Sequence, residues 1–428
     1  MNILFIVIFA LLLILSFYRR TDLFSPLKVF LLNIAVFWGD IFVREYNMIV
    51  DFYFLTILLF GLAIFLLEGE DKIYSQTKLF IPNRQIIWRK IWLISLIPIL
   101  AQLYLINLMG GFAGYIHSIG LRVKEWSGLG IYIILIRSMG IINLVYFFVI
   151  IKSHKVSRYE WLFYWANFTL FVIISLLSGS RSTLLVNFVI MFIVYYYYVE
   201  RVGVGRFFLL GIITLLLAMV IGVARNGYSY EGGELTTGFS NPNLDKKIEA
   251  ANFSYGLFPL EVITKQEYLK SYSFGATYIS AFTNIIPRSI WPDKPDTGGV
   301  VFTKQYQNIH QGYSNYSTDF IVEGILNFGY FGGTVFAYLL LFIIYIRFIS
   351  YYRKKRKFVY LRSAIIYFVG YVCLLFLIPT YLHGEFTTVT HTIFIHKILC
   401  LMLVVYFVIP ADVKYVEYVT NRKGVYCK

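Results

Sequence analysis

The sequence predicts an all-α polytopic integral membrane protein, and three observations predict this class. Of the 428 residues, 59% are hydrophobic and only 14% are charged, whereas soluble domains carry roughly a quarter charged residues. Apolar runs long enough to cross a bilayer as helices, about 20 residues each, recur along almost the whole chain. These runs do not alternate with polar residues, so helices rather than barrel strands would satisfy their backbone groups in lipid.

About eleven transmembrane helices are expected within one membrane domain that comprises residues 1–428. The predicted spans are 2–18, 27–43, 48–67, 91–109, 131–151, 161–178, 183–199, 207–224, 330–349, 363–380 and 391–409. No basic residue precedes the first span, and Arg19 and Arg20 follow it directly, which is the reverse of a secretory signal peptide. The first span should therefore remain as an anchor, with the N-terminus outside and the C-terminus inside.

The net charge of +15 reflects membrane orientation rather than a nucleic-acid partner. Basic residues cluster beside the spans, most densely in the run from Arg353 to Lys357, and such clusters mark cytoplasmic loops. Arg137 is the one basic residue identified deep within a predicted span, so it should face the protein interior. The three cysteines have no ligand spacing, and neither a zinc site nor a disulfide framework is indicated.

The segment 225–329 is predicted to be one large extracytoplasmic loop. Its aromatic residues and proline-bearing turns differ from a disordered spacer, and loops of this length are usually functional. We expect it to fold back as short amphipathic helices that cap a cavity on the outer face.

Five basic residues on the predicted outer side are candidates for binding phosphate. A guanidinium can hold phosphate through two parallel hydrogen bonds. The alternative for each is a side chain that simply reaches lipid headgroups at the interface. The candidates are Arg181 in the Ser178–Ser182 turn, Arg225 at the end of the eighth span, Arg288 and Lys294 in the proline-rich segment 284–295, and Arg122 in the outer segment 110–130.

Four further residues could carry acid–base chemistry. Asp319 and Glu323 are four apart and would share one face of a helix, although acidic residues also favour a helix N-terminus for structural reasons. His383 and Glu385 lie in one tight turn between the last two spans. The imidazole could act as an acid or base with Glu385 orienting it, or it could be an inert loop histidine.

Three short motifs support a family resemblance. Gly-Ser-Arg-Ser at 179–182, Ile-Pro-Arg-Ser-Ile-Trp-Pro-Asp-Lys-Pro at 286–295 and Glu-Gly-Ile-Leu-Asn-Phe-Gly at 323–329, together with the hydropathy profile, resemble the Wzy-type oligosaccharide repeat-unit polymerases of O-antigen, capsule and exopolysaccharide. The resemblance implies a GT-C-like bundle in the bacterial inner membrane that acts without cofactor or metal. Its substrates would be undecaprenyl-diphosphate-linked oligosaccharides, and a chain-length regulator and a flippase of the same pathway would be partners.

The resemblance also implies roles for the candidate residues. Positive charge would hold the diphosphate leaving group, and a base would deprotonate the acceptor hydroxyl. The first role suits Arg181, Arg225, Arg288, Lys294 and Arg122; the catalytic group comprises Glu323, His383, Glu385 and Asp319, with Glu323 or His383 as the base. Two alternatives stay open, namely an O-antigen ligase and a lipid-linked oligosaccharide transporter or flippase. A transporter would carry charges at several mid-span positions.

Overall fold

The computed structural model describes chiefly residues 2–19, 22–68, 84–120, 128–178, 181–200, 257–266, 271–286, 290–306, 318–353 and 358–414, with shorter described stretches between and after them. Within these ranges most residues are helical. The helices are α1 Asn2–Arg19, α2 Pro26–Phe37, α3 Met48–Leu67, α4 Arg84–Leu108, α5 Gly111–Gly120, α6 Gly130–Lys152, α7 Arg158–Leu177 and α8 Arg181–Tyr198. They continue with α9 Phe258–Thr264, α10 Ala276–Thr283, α11 Gly298–Tyr306, α12 Phe320–Arg353, α13 Leu361–Leu377, α14 Phe386–Thr390 and α15 Cys400–Val408.

Shorter elements complete the described secondary structure. Two 3₁₀ helices cover Gly39–Phe42 and Ile378–Leu382, and a π-helix, π1, covers His391–Leu399 between α14 and α15. Two small antiparallel sheets are also present. Strands β1 Lys78–Leu79, β4 Glu417–Asn421 and β5 Gly424–Cys427 pair in the order β1-β4-β5, and β2 Ser229–Glu231 pairs with β3 Glu234–Thr236.

Eight helices in the described part of the chain are long and apolar enough to cross a membrane. The prediction of a helical, multi-pass membrane protein is confirmed by them. They are Asn2–Arg19, Met48–Leu67, Arg84–Leu108, Gly130–Lys152, Arg158–Leu177, Phe320–Tyr352, Leu361–Leu382 and Phe386–Val408.

The remaining three predicted spans differ from these eight. The span predicted at 27–43 is the 12-residue helix α2 followed by a 3₁₀ turn, because the chain leaves the α-helical conformation at Trp38. The span predicted at 183–199 is the shorter apolar helix Thr183–Tyr198. The span predicted at 207–224 lies mostly outside the described residues.

The chain divides into two compact units. Unit 1 comprises Met1–Lys72, Phe253–Lys355 and Leu374–Ile393, and unit 2 comprises Ile73–Asn252, Arg356–Cys373 and Phe394–Lys428. Unit 1 has an aromatic core in which the rings of Phe30 and Tyr345 meet edge to face, with centroids 5.8 Å apart. Such pairs add to the stability that burial alone provides.

Unit 2 is held together by a buried polar chain as well as by apolar packing. The side-chain amide of Asn143 donates to Asn167 Oδ1 over 3.2 Å, and the amide of Asn167 donates to Ser95 Oγ over 2.9 Å. These three residues belong to α6, α7 and α4. Hydrogen bonds of this kind join helices where lipid offers no competing partners.

Helix α12 is a hairpin of two helical segments that meet at Gly329. Gly329 has φ 78° and ψ 176°, a conformation that essentially only glycine adopts. Residues 320–328 fold back against the following segment, since the Gly324 carbonyl oxygen would lie 2.1 Å from a Cβ built on Gly333. Sequence patterning places residues 320–328 in the outer loop, but residues 320–327 are all buried. Residues 320–328 form a short buried helix that leads into the span. We call it the re-entrant helix, because it folds back against the segment that follows Gly329.

The C-terminal end of this short helix is satisfied by the chain that precedes α10. The backbone N–H groups of Ser273 and Phe274 donate to the carbonyls of Leu326 and Asn327 over 2.9 and 3.2 Å. Carbonyls at a buried helix end need such partners. The contact therefore positions the re-entrant segment relative to α10.

We predict that Gly333→Ala destabilises the protein while Gly332→Ala does not. The added methyl of Gly333→Ala would lie 2.1 Å from the Gly324 carbonyl oxygen and must push the hairpin apart. Such overpacking costs roughly 1–3 kcal/mol. The Cβ of Gly332→Ala would meet only Phe328 Cβ at 3.7 Å, and alanine favours a helix over glycine. Thermal unfolding of the detergent-purified protein measures the difference, and equal melting temperatures for the two variants would contradict the hairpin.

Candidate active site

Two carboxylates tie together three separate segments of unit 1. Glu323 Oε2 accepts the backbone N–H of Phe386 over 2.6 Å, and Glu385 Oε2 accepts that of Gly299 over 2.5 Å. Phe386 begins α14 and Gly299 lies in the first turn of α11. Helix N-termini carry unpaired N–H groups and a partial positive charge, so they stabilise carboxylates. The re-entrant helix, the start of α11 and the turn before α14 are joined in this way.

Gly298 allows the start of α11 to approach the carboxylate closely. A Cβ at this position would lie 3.0 Å from Thr318 Oγ1 and 3.1 Å from Glu323 Oε1. These distances are too short for a side chain without displacing its neighbours. A glycine at position 298 therefore leaves the space beside the Glu323 carboxylate unoccupied by a side chain.

Glu323 retains one carboxylate oxygen without a hydrogen-bond partner. Its Oε1 is buried and unpartnered among the described residues, and so is Thr318 Oγ1. Leaving a buried polar atom unpaired costs about 1–3 kcal/mol. A cavity of about 20 Å³, lined by Glu323, Tyr278 and Tyr381 among others, adjoins the carboxylate. A space of this size holds about one water molecule, and Glu323 is one of the residues that line it.

Asp319 caps the re-entrant helix. Its Oδ1 accepts the N–H of Val322 over 2.7 Å, which is an N-cap contact. Burial raises the pKa of Asp319 to about 7, with hydrogen bonds from Val322 and Ile321 acting in the opposite direction. Its Oδ2 is unpartnered within the described ranges. The structural alternative considered for Asp319, a favourable acid at a helix start, agrees with this geometry.

Glu385 differs from Glu323 because both of its oxygens are occupied. Oε2 accepts from Gly299, and Oε1 accepts from the hydroxyl of Thr388. A carboxylate held by two donors is poorly placed to take a proton from a substrate. Glu385 therefore serves to position α11 against the turn before α14.

His383 is a buried, neutral imidazole. Its ring stacks on Phe37 with centroids 3.6 Å apart, and Nδ1 lies 3.0 Å from Asn33 Oδ1. Because an amide oxygen only accepts, Nδ1 carries the hydrogen. Burial lowers the pKa of His383 to about 3. At neutral pH the side chain therefore supplies no positive charge to a phosphate.

A polar stripe on the re-entrant helix extends beyond the two acidic residues. Asn327 follows Glu323 by four residues; its Nδ2 donates to Thr277 Oγ1 over 2.7 Å and its Oδ1 accepts from the Gly275 N–H over 2.8 Å. The spacing of Asp319, Glu323 and Asn327 was the available sequence signal for this residue. Asn327 fixes the helix on α10 and thereby positions Glu323.

Arg288 lies in the loop just before α11 and contacts other residues of this loop. Arg288 pairs with Asp296 and donates to the Pro292 carbonyl over 2.9 Å, and Lys304 donates to Asp296 Oδ2 over 2.6 Å. The Arg288 and Lys304 side chains are each 44% exposed. Two cations, Arg288 from the loop and Lys304 from α11, thus share the Asp296 carboxylate, two residues before Gly298.

Lys294 is held by the loop itself. Its Nζ donates to the carbonyls of Asn284 and Ile286 over 3.1 and 2.7 Å and contacts Asn284 Oδ1 at 3.3 Å. Burial and then the charge of Arg288 lower the pKa of Lys294, while Asp296 raises it. An ammonium whose donors are all engaged stabilises the loop path.

The other predicted phosphate ligands lie beyond what the structure describes. Arg122 and Arg225 are outside the described residues. Arg181 is the first residue of α8, but its side chain is outside the described part. We expect Arg181, Arg225, Arg288 and Lys294 to converge around one cavity that opens to the outer leaflet, and this stays a prediction.

An apolar groove lies between the spanning helices α3 and α12. It has a volume of about 720 Å³. Tyr53 and Thr334 bond across it through their hydroxyls at 3.1 Å, and Asp319 is close enough for its charge to act on Tyr53 and Tyr338. Two tyrosines of the groove lining therefore lie near Asp319, the N-cap of α12. Its lining comprises Phe52, Tyr53, Thr56, Phe60, Tyr330, Phe331, Thr334, Val335 and Tyr338.

These observations define a helical multi-pass membrane protein with a buried carboxylate site in unit 1. Among the described residues, no group of three His, Cys, Asp or Glu side chains is arranged to hold a metal ion. Comparison with family models, with curated proteins and with solved structures found no match.

We predict that His383 makes the protein less stable at acid pH. The unfolded chain binds a proton at His383 below about pH 6.5, whereas the folded protein does so only near pH 3. Stability is therefore lost as the pH falls from about 6.5 towards 3. Replacing His383 removes this penalty, so the destabilisation caused by His383→Gln should shrink by about 2 kcal/mol between pH 7.5 and pH 5.

Unfolding of variant and wild type must be compared at each pH, because Asp319 acts in the opposite direction. Because burial raises the pKa of Asp319 to about 7, its contribution to the stability of the folded state is fully present below the ordinary pKa of an aspartate. This contribution is lost as the pH rises from about 4 to about 7. The difference between the two proteins isolates His383. His117→Gln, at an exposed histidine of α5, is the matched control. A difference for His383→Gln that does not vary with pH would contradict the neutral, buried imidazole.

Proposed function

We propose that this protein is a membrane glycosyltransferase that polymerises undecaprenyl-diphosphate-linked oligosaccharide repeat units into O-antigen or a related surface polysaccharide. The observation that carries the proposal is Glu323, a buried carboxylate that lines a small cavity and whose Oε1 has no hydrogen-bond partner among the described residues. Arg288 lies in the loop before α11, and Lys304 lies in α11, the helix whose start approaches this carboxylate. A base and a nearby positive charge are the two elements that this transfer needs.

The proposed step moves one glycan between two carriers. Glu323 takes the proton of the acceptor hydroxyl, and the hydroxyl oxygen forms a bond to the anomeric carbon of the donor. The bond from that carbon to the diphosphate oxygen breaks, and its electron pair leaves with the diphosphate. Positive charge from Arg288 and Lys304 stabilises the departing group. No external oxidant or co-reactant is required.

The contacts favour Glu323 over the other base candidates. Glu385 has both oxygens engaged. His383 donates through Nδ1 to Asn33 and stacks on Phe37, which holds its ring in place. Asp319 uses Oδ1 as an N-cap. Among these four residues, Glu323 alone both lines the small cavity and has an oxygen without a partner in the described part of the chain.

The groove between α3 and α12 suits the isoprenoid chain of the lipid carrier. Both of its walls are helices long enough to cross a membrane, so the groove opens where hydrocarbon surrounds the protein. Its aromatic and aliphatic lining favours an apolar occupant over a sugar. Because Tyr53 and Tyr338 in its lining lie near Asp319, a chain bound there would bring the attached diphosphate towards the carboxylate site.

A second candidate function is the transport of lipid-linked oligosaccharides. Arg137 and Lys397 lie inside helices that are long enough to span a membrane, and charged residues at such positions mark substrate paths in transporters. This candidate makes no use of the carboxylate cluster in unit 1. Polymerisation therefore remains the function that we propose first.

The proposal places the protein in the bacterial inner membrane, with the N-terminus and residues 225–329 outside and the C-terminus inside. We predict that alkaline phosphatase fused after Lys357 is inactive, because the run from Arg353 to Lys357 stays in the cytoplasm. The same enzyme fused after Thr297 should be active. Phosphatase activity in the reverse pattern would overturn this orientation and the placement of the site on the outer face.

We predict that Glu323→Gln abolishes polymer formation while Glu261→Gln leaves it intact. Glutamine keeps the shape of Glu323 but cannot accept a proton, and loss of a general base lowers the rate by about two to four orders of magnitude. Glu261 is the matched control, a carboxylate of unit 1 paired with Arg44 and Lys265. Gel analysis of surface polysaccharide in a deletion strain restored with each variant, at equal protein levels, measures the outcome.

The same gel separates the candidate functions. Loss of a polymerase leaves single repeat units attached to the cell surface, whereas loss of a ligase or transporter leaves none. Long polymer from Glu323→Gln would remove Glu323 as the base. Absence of all surface glycan in the deletion strain would remove polymerisation as the function.

A further inference from the structure

Arg137 and Lys397 are basic residues that lie far from the ends of their spans. Arg137 belongs to α6, and Lys397 lies midway along the span Phe386–Val408. Lys397 is buried and Arg137 is partly buried. A charge at this depth is costly, and it is usually paired or part of a functional site. The neighbours of both residues therefore decide what the pair does.

Lys397 is bound by a neutral side chain. Its Nζ donates to Asn187 Oδ1 over 2.6 Å, and Asn187 Nδ2 donates to the Thr183 carbonyl of its own helix over 2.6 Å. The second bond fixes the amide so that its oxygen faces Lys397. Gly140 makes room for this amide, because a Cβ there would lie 2.6 Å from Asn187 Nδ2. The ammonium has a built acceptor that brings no negative charge.

Arg137 is also next to a neutral group. Its Nη1 lies 3.4 Å from Nδ1 of His396. A guanidinium only donates, so Nδ1 accepts and the imidazole carries its hydrogen on Nε2. The thiols of Cys373 and Cys400 lie near Lys397, and Arg137 repels it.

No carboxylate pairs with Arg137 or Lys397 in the part of unit 2 that the structure describes. Two basic side chains thus lie together in surroundings where a charged group needs a counterion. His396 and Lys397 are adjacent on π1, and π-helical turns occur frequently at functional sites. An anion is the partner that this arrangement requires.

We propose that Arg137 and Lys397 form an intramembrane site for a phosphate-class anion carried by an amphiphilic molecule. A phosphomonoester or diphosphate matches the charge of both cations, and the guanidinium fits phosphate through two parallel bonds. The location within the spans requires that the ligand bring an apolar chain. The inference goes beyond the proposed function, since such a site serves a polymerase and a transporter alike.

Binding to the detergent-purified, full-length protein tests this site. The probes are farnesyl diphosphate, inorganic pyrophosphate and farnesol, measured by isothermal titration calorimetry and by thermal shift. We expect farnesyl diphosphate to bind more tightly than farnesol. Arg137→Gln and Lys397→Gln should each weaken its binding about tenfold to a hundredfold, the range for losing one charged hydrogen bond. Arg347→Gln, at an exposed arginine of the α12 span, is the matched control and should bind like wild type.

The probes and variants separate the outcomes. Binding of pyrophosphate as tight as that of farnesyl diphosphate would identify a free phosphate as the ligand class and overturn the amphiphile. Farnesol binding as tight as the diphosphate, or unchanged binding in both glutamine variants, would overturn the site.

If the glutamine variants do not fold, Arg137→Lys and Lys397→Arg preserve the charge. Lys397→Arg should retain most of the farnesyl diphosphate binding, and Arg137→Lys should weaken it because an ammonium lacks the planar fork of the guanidinium. Complete loss of binding in folded Lys397→Arg would count against the proposal. Failure of the proposed polymerase would leave this result unaffected, because the binding assay requires no polymer formation.

Discussion

A carboxylate buried in an apolar bundle must find hydrogen-bond donors, and in unit 1 the donors are backbone N–H groups at helix starts. Glu323 binds the first residue of α14 and Glu385 binds the first turn of α11. Each contact joins segments that are distant in the sequence. The approach of Gly298 to Glu323, the N-cap at Asp319 and the fit of the hairpin on α10 all accompany these two contacts. The contact with Phe386 uses only one oxygen of Glu323, and the other has no partner among the described residues.

Much of the fold could be predicted because hydropathy over a window of about 20 residues reports directly on membrane spans. The re-entrant helix could not, since residues 320–328 are too short for such a window and contain Glu323 and Asn327. Their burial depends on Gly329, whose conformation follows from contacts rather than from local preference. Lys397 was overlooked for a related reason. A single lysine hardly lowers the hydropathy of the 23-residue span around it.

The candidate site was predicted in part. The i, i+4 spacing predicts that Asp319 and Glu323 lie close together, and in the structure Asp319 is the N-cap of α12 while Glu323 lies in its first turn. Their partners are not local, because Gly298 and Phe386 reach Glu323 only through the tertiary fold. From the sequence, Glu385 and Glu323 cannot be distinguished. In the structure both oxygens of Glu385 accept hydrogen bonds, whereas Oε1 of Glu323 has no partner among the described residues. The same holds for Lys294, whose donors are taken by carbonyls of its own loop.

The re-entrant helix has a consequence for the biogenesis of the protein. Its polar groups find partners on both sides in the chain, at 273–277 upstream and at Phe386 downstream. When residues 320–328 leave the ribosome, the donor for Glu323 has not yet been synthesised. The segment is also too short to be inserted as a span by itself. The helix can meet its upstream partners first, but the contact between Glu323 and Phe386 forms only after translation has passed the start of α14.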